Sequence, residues 1–246
     1  MEVLVLRFDA PLMSFGGILV DQHGPTDRFP GLSLLTGLCG NALGWSHGDV
    51  DLLHALQERL EYAARWDVPP QPFLDYQTVD LGQEKMRQPG WTTRGTPEHR
   101  AGGAAARYGT HQRYRHYWAN GLMTVTLTLK PGSEPTVNHI EAALRHPARP
   151  LFIGRKTCLP ASPLVIGIME ARDVLDALGR APCHPRFEQV PSASGPPLLE
   201  ACWPSHLGDI SSGQTLSVYD CRNWRKGVPA GARTRVEGLV RYEGGS

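Results

Sequence analysis

The sequence contains no long apolar run, no paired cysteine spacing and no basic leader, and each absence bears on where in the cell the protein is expected. No stretch reaches the roughly 18 apolar residues that a transmembrane helix needs, so we expect no membrane span. Residues 1–7 (MEVLVLR) carry an acid and a strand-like run, not a basic region followed by a cleavage site. The five cysteines form an odd set, and Cys39 lies in an apolar helix-like run, which is typical of free thiols. We therefore predict a cytoplasmic protein.

Net charge is also nearly absent, because 25 Lys and Arg residues oppose 24 Asp and Glu residues and leave a formal charge of +1. Net charge alone therefore does not indicate a nucleic-acid partner. Disorder is excluded by 41% hydrophobic and only 20% charged residues. The length of 246 residues suits one large domain or two small ones, and 27 glycines with 21 prolines predict long, ordered loops.

The charges that cancel overall are segregated along the chain. Residues 1–80 hold four basic and eleven acidic side chains, whereas residues 82–118 hold seven basic and two acidic ones. Residues 145–156 add four basic side chains without an acid, and residues 222–241 add six against one. Three separate basic stretches in a nearly neutral protein favour a polyanion that lies along one side. For any single stretch, a solvated loop is the alternative.

Hydrophobic periodicity predicts an α+β fold. Strands are expected at 3–8, 60–66, 122–129 and 163–169, and helices at 33–45 (with Ser33 as the cap), after 49, and at 136–145. The order is β-α-β-β-α-β with an extra helix after the first, which is ferredoxin-like. A Gly-, Pro- and Arg-rich insertion at about 68–115 divides the middle strands and is too long for a plain connection.

Two further features concern a turn and the tail. Asn120-Gly121 directly precedes a β-rich run and predicts a hairpin. After Arg180 the sequence is Pro-rich up to Pro204, and strand patterns follow at 215–219 and 234–242. We expect this tail to be an irregular, β-containing extension.

The segment best suited to binding is 107–118 (RYGTHQRYRHYW). If its second half is a strand, Arg113, Arg115 and Tyr117 share one face. Arginine binds phosphate in a bidentate way, and an aromatic ring can stack on an unpaired base for about 1–3 kcal/mol. No recognition helix for duplex DNA is visible, so RNA with splayed bases is the better match. The alternative is an amphipathic strand whose Tyr and Trp pack in the core.

A second candidate lies at the start of the first predicted helix. Arg28 precedes the helix N-terminus, where free backbone amides favour a phosphate. Inside this helix, Gly37, Gly40 and Gly44 each cost about 1 kcal/mol relative to alanine. Close packing or the approach of another backbone would explain that cost, and ordinary helix–strand packing is the simpler explanation.

Two kinds of chemistry stay open. His99, His111 and His116 lie near several tyrosines and could in principle cleave RNA by metal-free general acid–base chemistry. Histidines in RNA-contacting loops are more often simple contacts. Cysteines and histidines in the C-terminal part are candidate zinc ligands, but no C-x-x-C or H-x-x-x-H spacing supports a zinc site. Its members would be Cys183, His184, Cys202, His206 and Cys221. We predict no metal and no cofactor.

Four segments carry a family resemblance. They are 8–16 (FDAPLMSFG), 24–44 (which contains GPTDRFP and LLTGLCGNALG), 75–79 (DYQTV) and 150–160 (PLFIGRKTCLP). On these segments the chain resembles the CasD family, the subunits that bind the 5′ handle of crRNA in type I-E CRISPR Cascade complexes. With 114–131 the match spans residues 1–170, and it fades after about 180.

The resemblance implies an RNA-recognition-like (RRM-like) core, residues 1–180, whose inserted basic thumb, residues 82–113, grips the 5′ end of the guide RNA. Residues 181–246 are then a C-terminal extension packed on the core. The resemblance also implies that the subunit caps the backbone filament of CasC subunits and helps to seat the large subunit CasA. In this family the thumb is a wedge that kinks the RNA, and Met86 and Trp91 are candidates for that role.

A sibling branch, of type I-C, cleaves precursor RNA with a tyrosine, a lysine and a histidine. Here Lys85 is the only lysine of the insertion and lies far in sequence from His111 and His116. In type I-E systems cleavage belongs to another subunit, CasE. We therefore predict a non-catalytic subunit. The first alternative is a metal-independent endoribonuclease, and the second is a scaffold whose basic loops bind acidic protein surfaces.

The expected partners are crRNA, CasC and CasA, with target DNA met only through the assembled complex and no membrane partner. The predicted RNA contacts are Arg28, Arg94, Arg100, Arg107, Tyr108, His111, Arg113, Tyr114, Arg115, Tyr117, Arg155 and Lys156.

Overall fold

The computed structural model describes residues 1–19, 21–80, 110–183, 197–208 and 213–243. Within these ranges the chain is an α+β protein, as the periodicity predicts, with a seven-stranded sheet, a four-stranded sheet and a two-stranded ribbon. Residues 82–109 of the predicted thumb lie outside the described residues, and so do the wedge candidates Met86 and Trp91.

The helices in the described part of the chain are α1 (Leu32–Ala42), α2 (Val50–Arg59), α3 (Val137–Arg145) and α4 (Val174–Arg180). None of them combines the length and the apolar character that crossing a membrane requires. The strands are β1 (Glu2–Asp9), β2 (Leu12–Met13), β3 (His23–Gly24), β4 (Leu60–Val68), β5 (Gln71–Asp80), β6 (Thr110–Ala119), β7 (Leu122–Leu129), β8 (Val165–Glu170), β9 (Leu198–Pro204), β10 (Gly213–Val218), β11 (Arg222–Asn223), β12 (Val228–Pro229) and β13 (Arg233–Arg241).

The large sheet has the strand order β10-β13-β9-β4-β7-β1-β8, and all of its neighbours are antiparallel. Strand β1 lies between β7 and β8, so that Val5 faces Thr126 on one side and Gly167 on the other. Residues from the C-terminal part enter the same sheet, because Cys202 of β9 pairs with Ala64 of β4.

Strand β1 is buried on both faces because helices cover both sides of the sheet. Leu4 and Leu6 pack in the larger core with Leu35 of α1, whereas Val3 packs in a smaller core with Val174 of α4. All five side chains are 0% exposed. Burial on both faces explains why the sequence shows an uninterrupted apolar run here instead of an alternation.

Several predicted elements are confirmed: the strands at 3–8, 60–66 and 122–129, the helix at 136–145, and both tail strands. The predicted hairpin at Asn120-Gly121 is wrong. Asn120 does adopt the left-handed conformation of a turn, with φ 58°. The turn, however, carries the chain from β6 in the small sheet to β7 in the large sheet, and these two strands do not pair with each other.

Three other expectations need correction. The first helix begins at Leu32 with Gly31 as its N-cap, so Ser33 lies inside the helix and caps nothing. Strand β5 lies near the start of the predicted insertion at 68–115, and strand β6 covers its end from Thr110. Strand β9 lies in the part of the tail that we expected to be Pro-rich and irregular, and helix α4 was not expected.

Candidate nucleic-acid interface

The small sheet is built around β6, which carries the second half of the predicted RNA-binding segment. Strand β5 pairs antiparallel with β6 along its whole length, from Gln71 opposite Ala119 to Asp80 opposite Thr110. The short strands β2 and β3 pair with β6 as well and therefore lie along its other edge. Because side chains alternate along a strand, even- and odd-numbered residues of β6 lie on opposite faces of this sheet.

One face carries a row of aromatic rings, which we call the aromatic face: His23, Tyr76, Tyr114 and His116. The Tyr114 ring stacks on His23, with centroids 4.7 Å apart and 10° between the planes, and on Tyr76, with 5.0 Å and 30°. The His116 ring lies 6.1 Å from that of His23. Tyr76 is 51% exposed, His23 is exposed, and the other two are half-buried. Accessible stacked rings are a surface on which unpaired bases can stack.

The opposite face, which we call the basic face, carries Arg113 and Arg115. The register places Gln77 opposite Arg113 and Asp75 opposite Arg115. In the described part of the chain, neither guanidinium forms an ion pair with a carboxylate. Arg115 reaches to β3, where a Cβ added at Gly24 would lie 3.2 Å from its Nη1. Two half-buried arginines that form no ion pair with a described carboxylate are suited to bind phosphate.

Tyr117 shares the face of the two arginines, as the alternation predicts, but it is only 5% exposed. Its ring lies 6.4 Å from that of Phe73, and the guanidinium of Arg155 lies 4.7 Å from its centroid. The ring is therefore enclosed and offers no open face to a base. At Tyr117 the alternative interpretation from the sequence, a tyrosine that packs in the core, is therefore the correct one.

Arg155 is tied into the fold. Its guanidinium donates to the backbone oxygens of His116 at 2.9 Å and Gly24 at 2.8 Å, so it joins β3 to β6. Its guanidinium thus lies on the basic face, over the Tyr117 ring.

Arg28 is also engaged within the chain. Its Nε donates to Glu200 at 2.6 Å, and its guanidinium lies against the rings of Trp66 and Trp118. The nearby N-terminus of α1 is not open to a phosphate, because the Asp220 carboxylate accepts a hydrogen bond from the Leu32 amide at 3.1 Å. The expectation that Arg28 borders a free helix N-terminus is therefore wrong.

The other predicted contacts divide into two groups. Lys156 and His111 are exposed, with His111 on the basic face opposite Val79. Arg94, Arg100, Arg107 and Tyr108 lie outside the described residues.

Three residues of the aromatic face were not predicted as contacts: His23, Tyr76 and His116, the last of which was considered only for catalysis. Tyr76 lies in the segment 75–79, which carries part of the family resemblance, but the exposed strand β5 has no alternating apolar pattern that would have placed this ring. His23 lies in a two-residue strand, and nothing in the sequence connects it with Tyr114.

No group of three or more His, Cys, Asp or Glu side chains in the described ranges is arranged to hold a metal ion. His184, one of the residues considered for zinc, lies outside those ranges. Burial raises the pKa of Cys39 and of Cys202 to about 12, and burial together with the charge of Asp67 raises the pKa of Cys183 to about 11. These thiols stay protonated near neutral pH and are poor nucleophiles.

Comparison with known proteins first defines a class, that of the CRISPR-associated proteins. The model of the family described as CRISPR-associated protein (Cas_Cas5) matches residues 3–236. The Cascade subunit CasD of Escherichia coli strain K12 is 31% identical over 183 residues, which cover 71% of this chain and 75% of that relative. The chain therefore belongs to the Cas5 family, and the resemblance that we derived from its four segments is confirmed.

Two solved structures share the fold. One is described as a CRISPR RNA-guided surveillance complex, and its matching chain has a TM-score of 0.69 and 21% identity, with 98% of this chain and 90% of that chain covered. The other is described as a crystal structure of Cas protein, with a TM-score of 0.62 and 20% identity over 98% and 96% of the two chains.

Proposed function

We propose that this chain is a non-catalytic RNA-binding subunit of a type I-E CRISPR surveillance complex, and that it grips the 5′ handle of the crRNA. The observation that carries the proposal is the β5–β6 pair, with accessible stacked rings on one face and two arginines on the other. Rings stack on splayed bases and guanidinium groups bind phosphates, so the pair suits single-stranded RNA. The E. coli relative, named as a Cascade subunit, supports the same role.

The arrangement of the large sheet supports an RRM-like core. Strands β4, β7, β1 and β8 are adjacent in this order and antiparallel, which is the arrangement of a ferredoxin-like fold. In our proposal the core comprises residues 1–180, and the thumb comprises residues 82–113, which lie between β5 and the end of β6 in the sequence. Residues 181–246 form the C-terminal extension.

The same proposal defines the partners. The subunit caps the backbone filament of CasC subunits, helps to seat CasA, and acts in the cytoplasm. Target DNA is read by pairing with the guide, so this chain meets it only in the assembled complex.

Replacing Arg113 and Arg115 together with alanine is expected to weaken handle-RNA binding and to flatten its salt dependence. Each arginine that neutralises a phosphate contributes about 0.7 to the slope of log K against log salt for a single strand. The double variant should therefore lose about 1 or more of that slope. Fluorescence anisotropy with 3′-labelled handle RNA at several salt concentrations measures it.

A matched control is the double variant Arg172→Ala with Arg180→Ala. Both arginines pair with aspartates at α4, on the other side of the large sheet. Their loss should leave the slope unchanged. An unchanged slope for Arg113→Ala with Arg115→Ala would remove the basic face from the interface.

A second function, metal-independent cleavage of CRISPR repeat RNA, is favoured by one observation. The rings of His23 and His116 lie 6.1 Å apart, and Tyr114 stacks on His23. Cleavage by general acid–base chemistry needs two such titratable groups near one scissile bond.

Our proposal predicts that pure protein leaves repeat RNA intact in EDTA, and that His116→Ala changes only the affinity for RNA. A denaturing gel of the incubated RNA gives the answer. Site-specific cleavage that disappears in His116→Ala would establish the endoribonuclease in place of our proposal.

A further inference from the structure

Three short connections join the small sheet to the large sheet, and they meet at one end of the small sheet. They are residues 10–11 between β1 and β2, 69–70 between β4 and β5, and 120–121 between β6 and β7. The register places Leu12 and Gln71 opposite Ala119, the last residue of β6. We call this end of the small sheet the joint. The β5–β6 pair extends away from it to Thr110.

The position of the joint makes the orientation of the small sheet important for both of its faces. Tyr114 and Arg113 lie four and five residues along β6 from Trp118, which is next to the joint. Four residues of strand span about 13 Å, so a rotation of about 10° at the joint moves a side chain there by about 2 Å. Binding groups must be held to within about 0.5 Å. The residues at the joint therefore decide whether the two faces are placed to bind RNA.

Arg28 lies at the joint and contacts both sheets. Its guanidinium lies 5.2 Å from the ring centroid of Trp66 on β4 and 4.8 Å from that of Trp118 on β6. Both distances are within the range of about 6 Å over which a cation and an aromatic ring attract each other. Trp66 is 1% exposed and belongs to the larger core, so Arg28 connects the small sheet to a fixed part of the large one.

The partner that holds Arg28 comes from the C-terminal part of the chain. The carboxylate of Glu200 on β9 accepts hydrogen bonds from Nε of Arg28, at 2.6 Å, and from its Nη2. The backbone beside Arg28 is tied to the small sheet as well, because Trp118 Nε1 donates to the Asp27 backbone oxygen at 2.7 Å. Segment 27–28, strand β6 and strand β9 thus meet at the joint.

The same contacts argue against Arg28 as a direct phosphate contact, which is the role that the sequence predicts for it. Its side chain is only 27% exposed, and the bidentate carboxylate uses two of its donors and neutralises its charge. A phosphate would have to displace Glu200, whose own charge would then repel it. The geometry suits a residue that orients the small sheet.

We propose that Arg28 is a positioning residue which, held by Glu200, fixes the angle between the small sheet and the large sheet that RNA binding requires. The proposal rests on the proposed function, because it concerns the affinity of the aromatic and basic faces for the same RNA. It also gives the C-terminal extension, residues 181–246, a part in RNA binding through Glu200.

Glu200→Gln tests the proposal, because it keeps the size of the side chain and removes the charge that holds Arg28. We expect the affinity for 3′-labelled handle RNA to fall about 3- to 30-fold. The slope of log K against log salt should stay unchanged, since no phosphate contact is lost. A direct contact predicts the opposite sign, because the freed guanidinium would raise the affinity and steepen the slope by about 0.7. Fluorescence anisotropy at several salt concentrations, well below the melting temperature, measures both quantities.

Arg28→Lys keeps the charge but loses the planar fork that pairs with Glu200 and lies against the two rings. We expect it to lose about as much affinity as Arg28→Ala, with an unchanged salt slope in both variants. If Arg28 binds a phosphate, lysine should instead keep most of the affinity and alanine should lose about 0.7 of the slope.

A double variant separates positioning from a general structural role of Glu200. Because Glu200 acts through Arg28, Arg28→Ala with Glu200→Gln should bind RNA no more weakly than Arg28→Ala alone. A purely structural contribution of Glu200 would add to the loss and would contradict the proposal.

Glu141→Gln is the matched control. It removes the same charge from an ion pair, with Arg145 on α3, that lies away from the joint. The affinity for RNA should stay within about twofold of the wild type, since such surface pairs contribute little.

The outcomes separate this proposal from the proposed function. Wild-type affinity in both Glu200→Gln and Arg28→Lys, or a steeper salt slope in Glu200→Gln, would overturn the positioning role and leave the proposed function standing. Should either variant fail to fold, Trp118→Phe, which removes only the hydrogen bond to Asp27 and keeps a ring, decides by the same affinity measurement. Failure of the wild-type protein to bind handle RNA at all would instead contradict the proposed function.

Discussion

Asp67→Ala is expected to lower the free energy of unfolding by about 3–5 kcal/mol, since it leaves the charge of Arg65 buried without its partner. Both side chains are 0% exposed, and Arg65 Nε donates to Asp67 Oδ1 at 2.7 Å. The Thr124 hydroxyl donates to the other carboxylate oxygen at 2.6 Å and would also lose its acceptor.

The same arginine connects distant parts of the chain, which is why the effect should be global. Arg65 also donates to the backbone oxygens of Leu178 and Ala181, beyond the sheet at the end of α4. Urea denaturation followed by circular dichroism measures the loss. Glu141→Ala, which breaks an exposed pair with Arg145 on α3, is the matched control and should cost about 0.5 kcal/mol or less. A loss below about 1 kcal/mol for Asp67→Ala would refute this account of the pair.

Gly154→Ala is expected to be the second severe variant, with a cost of about 3 kcal/mol or more. Gly154 has φ +96°, and an added Cβ would lie 1.6 Å from the backbone oxygen of Ser14. The Ser14 backbone cannot move away easily, because its amide donates a hydrogen bond to the backbone oxygen of Ile153 at 3.3 Å. The segment would have to move, and Arg155 would lose its place between β3 and β6.

Gly16→Ala separates the two causes of that cost. Gly16 also has a positive φ, +86°, but nothing lies within 4 Å of an added Cβ. It should therefore cost only about 1–2 kcal/mol from the backbone conformation. Chemical denaturation of both variants, with RNA affinity measured on the folded fraction, provides the comparison. Equal costs would show that the contact with Ser14 is unimportant.

Sequence patterns predicted the elements whose local periodicity is strong. Strand β7 and helix α3 are clear because their apolar spacing matches one geometry over eight or nine residues. Strand β5 was hidden because nearly all of its residues are exposed, so no apolar face marks it. The N-cap of α1 was misplaced because its first amide is bound by Asp220, which is distant in the sequence.

The sequence predicted which β6 side chains share a face, but not which distant segments contact them. The period of two placed Arg113 and Arg115 on one face of β6, as the structure shows. It could not show that Arg155 covers Tyr117, or that His23 stacks on Tyr114, because both contacts join segments far apart in sequence. Such contacts depend on how the small sheet assembles.

The most direct measurement is photo-crosslinking of the natively purified complex, with 4-thiouridine in its RNA and mass spectrometry of the crosslinked peptides. We expect guide RNA to be present and its 5′ end to crosslink to peptides of β6 and β5. A complex that carries no nucleic acid would favour the scaffold that binds acidic protein surfaces. Crosslinks from the 5′ end that fall only on other subunits would contradict the account outright.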